Sequence, residues 1–237
     1  MNLYQTHTDR LSKLTDRFGF NPAEVAQGSP EWLAMKMGVI SASNADKVVA
    51  KRDSAGRATY MASLISQICS CVIPEEMNYK AMEHGKLYEP AARDAISVAL
   101  GFVEIKELPF MYMDDSLRVG VSPDGVFDNT IVELKCPHNG ENFIKFAAFA
   151  DNKKEWRWQA QFQLFAGKAD EHIFCQYDHR MILCNNMHHV KTERNEADQK
   201  TLADSIPQFI SDMDVALKSI GVEFGDHWEY LKQQRSQ

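Results

Sequence analysis

The stretch "SPDGVFDNTIVELKCP" sets three ionisable residues, Asp124, Glu133 and Lys135, around one short apolar run. Two carboxylates brought within a few ångströms repel, and each raises the pKa of the other. A divalent cation removes that penalty, and hard oxygen ligands with open water positions suit Mg2+. An ammonium beside them can orient or deprotonate an attacking water, or stabilise charge as it builds on phosphorus. The chemistry such a trio supports is metal-assisted hydrolysis of a phosphodiester. The same spacing fits a surface hairpin whose charges are simply solvated, so the trio alone leaves both readings open.

Bringing the three together requires a strand and a turn. Side chains alternate faces along a strand. In "TIVELKCP", Ile131, Glu133 and Lys135 then share one face, while Val132 and Leu134 face a core. A hairpin through Asp128 and Asn129 returns Asp124 to the same end of the sheet. The runs "FVEIKELPFMYM", "LRVGVS" and "IVELKC" read as an antiparallel meander, and "HIFCQYD" and "MHHVKTER" as two later strands. Before the strands, Ser29 and Pro30 open a helix that breaks at Gly38, and a second helix follows Ser43. "YMASLISQICSCV" reads as a buried helix, and residues 79–101 as a helix that Pro90 kinks or restarts. "KKEWRWQAQFQLFAG" is a further helix ended by Gly167. In the last one Leu202, Ile206, Phe209, Ile210, Met213, Leu217 and Ile220 share a face. This order favours an α/β or α+β fold, a central sheet flanked by helices. No linker divides it, so residues 1–237 are read as a single domain.

Composition narrows the function. A net charge of −7 excludes a uniformly basic nucleic-acid binder, though not a locally basic channel. Lys51, Arg52 and Arg57, in the polar loop "KRDSAGRAT", are candidates for backbone contacts in such a channel; solvated loop charges are the alternative. Ser41 and Ser43 sit at a helix start, where backbone N–H groups and a hydroxyl can hold an anion. The five cysteines form no CxxC pair and read as reduced thiols of a cytoplasmic protein. The N-terminus has no apolar signal region, and no apolar run approaches the roughly 20 residues of a membrane span.

Read whole, "SPDG" followed by "ELKCP" resembles the PD-(D/E)xK nuclease signature. More narrowly, the chain resembles the lambda-exonuclease family of phage-type recombination nucleases. The blocks that carry the likeness are "EWLAMKMGVISAS", "HGKLYEPAARD", "SPDG", "ELKCP", "QAQFQ" and the tail "FISDMDVALKSIGVEFGDHW", in family order over about residues 27–228. The resemblance implies an α/β, restriction-endonuclease-like core with a central mixed β-sheet flanked by helices. It implies a Mg2+-dependent, processive 5′→3′ exonuclease that digests one strand of linear double-stranded DNA. Two Mg2+ ions are expected, with Mn2+ able to substitute. A ring-shaped homotrimer and a single-strand annealing protein as partner are implied as well. A site-specific endonuclease of the same superfamily and a non-catalytic DNA-end scaffold are the alternatives.

The resemblance also distributes roles. Asp124, Glu133, the main-chain carbonyl of Leu134 and the helix-borne Glu89 match the metal ligands, and Lys135 the catalytic lysine. Gln161 matches a glutamine that holds water or a substrate oxygen, with Gln159 and Gln163 close by. Ser43, with Ser41, matches the pocket for the 5′-terminal phosphate, and Lys36 stands where the family carries an arginine for that phosphate. Met82 is a candidate wedge at the DNA end, or else a core methionine. After "ELKCP" the family has a basic residue where this chain offers Glu141.

Overall fold

Short strands sort the chain into two sheets. The computed structural model describes residues 2–72, 79–150 and 154–235, without the side chains of 79–82 and 154–155. The first part holds helices α1 (Leu3–Ser12), α2 (Thr15–Phe18) and α3 (Pro30–Lys36), strand β1 (Ile40–Ser41), and helices α4 (Ala45–Val48) and α5 (Ala55–Ser70). Then come α6 (Tyr79–Ala99) and strands β2 (Met111–Tyr112), β3 (Val119–Val121), β4 (Gly125–Phe127) and β5 (Thr130–Lys135). Helices α7 (Gly140–Phe149) and α8 (Lys154–Ala166), strands β6 (Glu171–Tyr177) and β7 (Met187–Thr192), and helices α9 (Glu196–Ser219) and α10 (Asp226–Arg235) complete the order.

One sheet has the order β1-β3-β2 and the other β4-β5-β6-β7. Each is mixed: β1–β3 and β5–β6 are parallel, the remaining pairs antiparallel. Mixed sheets flanked by helices are what the α/β expectation required. The single meander is not observed. The chain leaves the first sheet at Val121 and enters the second at Gly125, so Asp124 lies in the crossing between them. The run expected as a strand from Phe102 pairs only at Met111–Tyr112 and through an isolated bridge between Lys106 and Val126. Pro109, which has no N–H to give a ladder, falls between the two.

The alternation read from "TIVELKCP" holds. Val132 and Leu134 pack with Ala92 and Ile96 of α6 and with Ile173 and Cys175 of β6. Ile131 faces the other way, into a core with Phe162 of α8, Leu64 of α5 and Leu202 and Phe209 of α9. Each such buried side chain is worth about 1.5–3 kcal/mol, so a slip of one residue in β5 is strongly opposed. Pro90 does not restart the helix over 79–101, and one helix start moves. α6 runs through Pro90, and the carbonyl this leaves without its usual donor belongs to the exposed Lys86. α5 begins earlier than expected, at Ala55, because the Ser54 side chain accepts from the N–H of Arg57 and caps it.

Three buried histidines give the fold a pH dependence. His7, His172 and His227 each have a buried Nδ1 without a hydrogen-bond partner, and burial pushes each pKa down to about 4. The unfolded chain takes up these protons near pH 6.5, the folded one only near 4. Their contribution to stability is therefore complete above 6.5 and lost as pH falls towards 4. Urea unfolding of the metal-free protein should show a midpoint that drops between pH 7 and pH 5 at constant slope; a flat midpoint would contradict their being buried and neutral.

Candidate active site

The site forms where β5 outruns its neighbour. β4 pairs with β5 only as far as Val132, so the last residues of β5 have an open edge on that side. There the Asp124 carboxylate takes the place of a strand: its Oδ2 accepts from the Leu134 N–H at 2.6 Å. The N–H and C=O of one residue point to the same edge of a strand, so the Leu134 carbonyl opens beside Asp124. The crossing that bears Asp124 is anchored at two points. Gln27 donates to the carbonyls of Pro123 (2.9 Å) and Leu108 (3.0 Å). Arg93 of α6 donates to the Asp124 carbonyl from Nε (3.3 Å) and Nη2 (3.1 Å).

Glu133 is only 3% exposed. Isolated, a buried carboxylate would cost several kcal/mol. Three donors surround it. Lys135 Nζ reaches Oε1, Gln159 Nε2 reaches the same oxygen at 2.6 Å, and Gln163 Nε2 reaches Oε2 at 2.6 Å. Burial resists its ionisation, but Lys135 and the hydrogen bonds outweigh burial and hold its carboxyl below the ordinary range. Burial likewise resists the charge on Lys135, and Glu133 and Asp124 reverse that, so its pKa lies above that of an ordinary lysine. Asp124 goes the other way: burial, then the Glu133 charge, pushes its carboxyl well above the usual value.

Glu89 completes the cluster from α6. It pairs with Arg93 at 2.8 Å, and Arg93 also holds Glu107. Burial raises the Glu89 pKa against the pull of Arg93, with Glu107 and Glu133 adding to the rise. Three acids thus share one electrostatic site with Lys135, and two of them are pushed towards the neutral form. A divalent cation is the charge this donor set lacks, and the Leu134 carbonyl adds a neutral oxygen. The residues fit such an ion. Among the described residues no three side chains already converge on one point as metal ligands, so binding would require the carboxylates to draw together around the ion.

The glutamine assignment needs correction. Gln161 faces away from the cluster: it donates to the Glu193 carbonyl at 2.8 Å and accepts from the Asn195 N–H (3.0 Å) and Gln199 Nε2 (2.9 Å). Residues two apart on a helix point to opposite sides, whereas Gln159 and Gln163, four apart, share a face. That spacing was the available signal for the pair. Arg93, four residues after Glu89, carried a similar one; His172, behind Gln163, carried none.

The expected phosphate pocket is partly assembled. Ser41 ends β1 and Ser43 lies in the 3-10 turn Ala42–Asn44, with their Oγ atoms 3.3 Å apart. Tyr60 Oη accepts from the Ser41 N–H at 3.0 Å. The turn packs on α8, the helix that carries Gln159 and Gln163. Lys36 ends α3 with its Nζ 3.6 Å from the centre of the Trp32 ring. Of the basic candidates, Lys51 is exposed, and Arg52 is exposed while paired with Asp212 at 2.6 Å. Arg57 is a second correction: it is 5% exposed, pairs with Asp212 at 2.7 Å and lies over Phe209, so burial keeps it from a DNA backbone. Met82 belongs to α6, but its side chain lies outside the described residues. Glu141 stands in the first turn of α7, where a negative charge suits the helix dipole, and its N–H donates to the Asn139 side chain at 3.0 Å.

Known proteins share this arrangement of the chain. A family model described as the YqaJ-like viral recombinase domain matches residues 31–186. The protein ExoD of Escherichia coli (strain K12) is 33% identical over 85 residues, which make up 36% of this chain and 97% of ExoD. Among solved structures, the alkaline exonuclease LHK-Exo of Laribacter hongkongensis in complex with dAMP superposes with a TM-score of 0.71 at 26% identity, covering 88% of this chain and 98% of that one. A phage-related exonuclease from Haemophilus somnus 129PT, at 12% identity, shares the fold with a TM-score of 0.65, covering 77% of this chain and 96% of its own.

The corrected placement of Gln161 has a measurable consequence. Gln161→Leu removes a buried bond with Gln199 and two part-buried bonds with Glu193 and Asn195, and should lower the free energy of unfolding by about 2 kcal/mol. Gln159→Leu removes one of three donors to the buried Glu133 carboxylate and should cost at least as much, and it alone of the two should also weaken Mn2+ binding. Urea unfolding and Mn2+ titration of both variants check this, and weakened Mn2+ binding in a folded Gln161→Leu protein would return Gln161 to the site.

Proposed function

Because the chain belongs to the YqaJ-like viral recombinase domain family, we propose that it is a Mg2+-dependent exonuclease of DNA recombination. It digests one strand of linear double-stranded DNA, 5′→3′, from a phosphorylated end. The observation that carries this reading is the buried Glu133 paired with the half-buried Lys135, beside Asp124 and Glu89, at the open end of β5. The likeness to an exonuclease that binds dAMP supports a nucleotide product.

In this reading Asp124, Glu133, Glu89 and the Leu134 carbonyl hold Mg2+, two ions at full occupancy, with Mn2+ as substitute. When bound, the metal supplies Lewis-acid activation of the phosphodiester and of water. Lys135, whose neighbours favour its ammonium form, orients the water and stabilises charge on phosphorus; it is a poor proton acceptor. Gln159 and Gln163 keep Glu133 aligned through their amide donors. Ser41 and Ser43 offer hydroxyls to the terminal phosphate and Lys36 a point charge, without the two-pronged grip of arginine. Lys51 and Arg52 contact the backbone of the duplex, and Met82 separates the terminal bases. The resemblance to the lambda-exonuclease family extends the proposal to a homotrimeric ring that hands a 3′ single strand to an annealing protein.

A time course on three duplexes tests this: 5′-phosphorylated linear, 5′-hydroxyl linear and covalently closed circular, each with Mg2+ and with EDTA. Mononucleotides should appear fastest from the phosphorylated end, and none from the circle or with EDTA. A cut circle would point to a site-specific endonuclease, and end binding without turnover to a scaffold. Glu133→Gln and Lys135→Ala should each slow cleavage by about a hundredfold or more while DNA binding persists; full activity in either would sink the assignment.

A further inference from the structure

Behind Glu133 lies a second polar layer that no substrate can touch. Gln163 gives its Nε2 to Glu133 Oε2 at 2.6 Å, and its other end, Oε1, stands 2.6 Å from His172 Nε2. Gln163 is 1% exposed and His172 0%. A glutamine amide has one donating end and one accepting end. With the donor committed to Glu133, the oxygen must accept, so His172 must carry its hydrogen on Nε2. Its Nδ1 is buried without a partner, which suits a neutral ring with that one hydrogen, and burial keeps the ring neutral. The parallel ladder sets His172 opposite Ile131, two residues before Glu133 on the face that meets α8.

This geometry gives His172 a directing role. A flipped Gln163 amide would set its oxygen against the carboxylate and its NH2 against the His172 N–H, so both contacts become repulsive together. Glu133 has about four acceptor positions in all. Lys135 and Gln159 take two on Oε1 and Gln163 one on Oε2, so the remaining position is on the oxygen that Gln163 holds.

We infer that His172 is a positioning residue: through Gln163 it sets the direction in which Glu133 Oε2 presents its remaining lone pair, and thereby how tightly the site holds a divalent cation. The inference rests on Glu133 being a metal ligand, as in the proposed function.

The test uses the full chain and Mn2+ alone as probe. Titration calorimetry of metal-free protein should show binding weakened about tenfold in His172→Phe and in Gln163→Leu. The double variant should be no worse than either single one, since both act through one chain of contacts. His172→Gln, whose amide can still donate to Gln163, should recover most of the affinity. Nitrogen-15 NMR of the unaltered protein at pH 8 should find His172 neutral with its hydrogen on Nε2, a reading that needs no variant. Unchanged Mn2+ affinity in a folded His172→Phe protein, no Mn2+ binding by the unaltered chain, or a hydrogen on Nδ1 would each overturn the inference. If His172→Phe fails to fold, the tautomer and His172→Gln decide. Cleavage assays run in parallel separate the two ideas: intact Mn2+ binding with no cleavage defeats the nuclease reading and leaves the role of His172 standing.

Discussion

Keeping one buried carboxylate ionised is the constraint on which this site depends. Glu133 lies between a sheet and a helix, where an unpaired charge would cost far more than a folded domain can spare. Lys135, Gln159 and Gln163 offset that cost with three donors on two oxygens. Two of the donors come from α8, so that helix can neither rotate nor slide without stranding Glu133. Phe162 and Leu164 lock its other side into the main core, and Gln161 ties it to the segment entering α9. The face of α8 that meets Glu133 is thus held in register by residues that never approach that carboxylate.

The gap between the two sheets serves the same end. A continuous meander would have filled the open edge of β5 with another strand, and Leu134 would have given its N–H and carbonyl to a ladder. The chain instead crosses over at Asp124 and supplies a carboxylate there. Gln27 and Arg93 hold the crossing by its carbonyls, and Arg93 links it to Glu89. On the far side Arg180, fixed by Asp178, donates to the carbonyls of Pro137 (2.9 Å) and His138 (2.9 Å). The crossing at Asp124 and the segment after β5 are therefore both held by arginines acting on backbone carbonyls.

Charge placement explains how an acidic chain can present a site for an anionic polymer. Several of its arginines are already paired with carboxylates: the buried Arg57 with Asp212, the buried Arg118 with Asp214, and the more exposed Arg157 with Asp198. Arg57 ties α5 to α9, Arg157 ties α8 to α9, and Arg118 ties the loop before β3 to α9, so each charge is largely balanced where it stands. On the proposed function the attraction for phosphate is local, supplied by Lys135 at the end of β5, by the serine turn packed on α8, and by Lys36 at the end of α3.

Much of this was legible in the sequence. Alternation over 130–135 assigned Glu133 and Lys135 to one face and Val132 and Leu134 to the core, because strand geometry repeats every two residues. Glu89 came from its matched block, and Glu133, Lys135 and Asp124 from residue type and spacing. What sequence misjudged depended on partners distant along the chain. Gln161 and Gln159 are equivalent in type and nearly so in position; only the rotation of α8, set by packing on β6 and α9, decides which one meets Glu133. Arg57 looked like a loop cation until Ser54 capped α5 ahead of it and Asp212 received it. His172 had no local signal, since its role exists only through the register of β5 with β6. Local sequence sufficed to nominate Asp124, Glu133, Lys135 and Glu89 as the candidate chemistry and to give the periodicity that orients Glu133 and Lys135. Tertiary structure alone decided which polar side chains surround the buried charge, because helix rotation and strand register come from packing between segments that no local pattern connects.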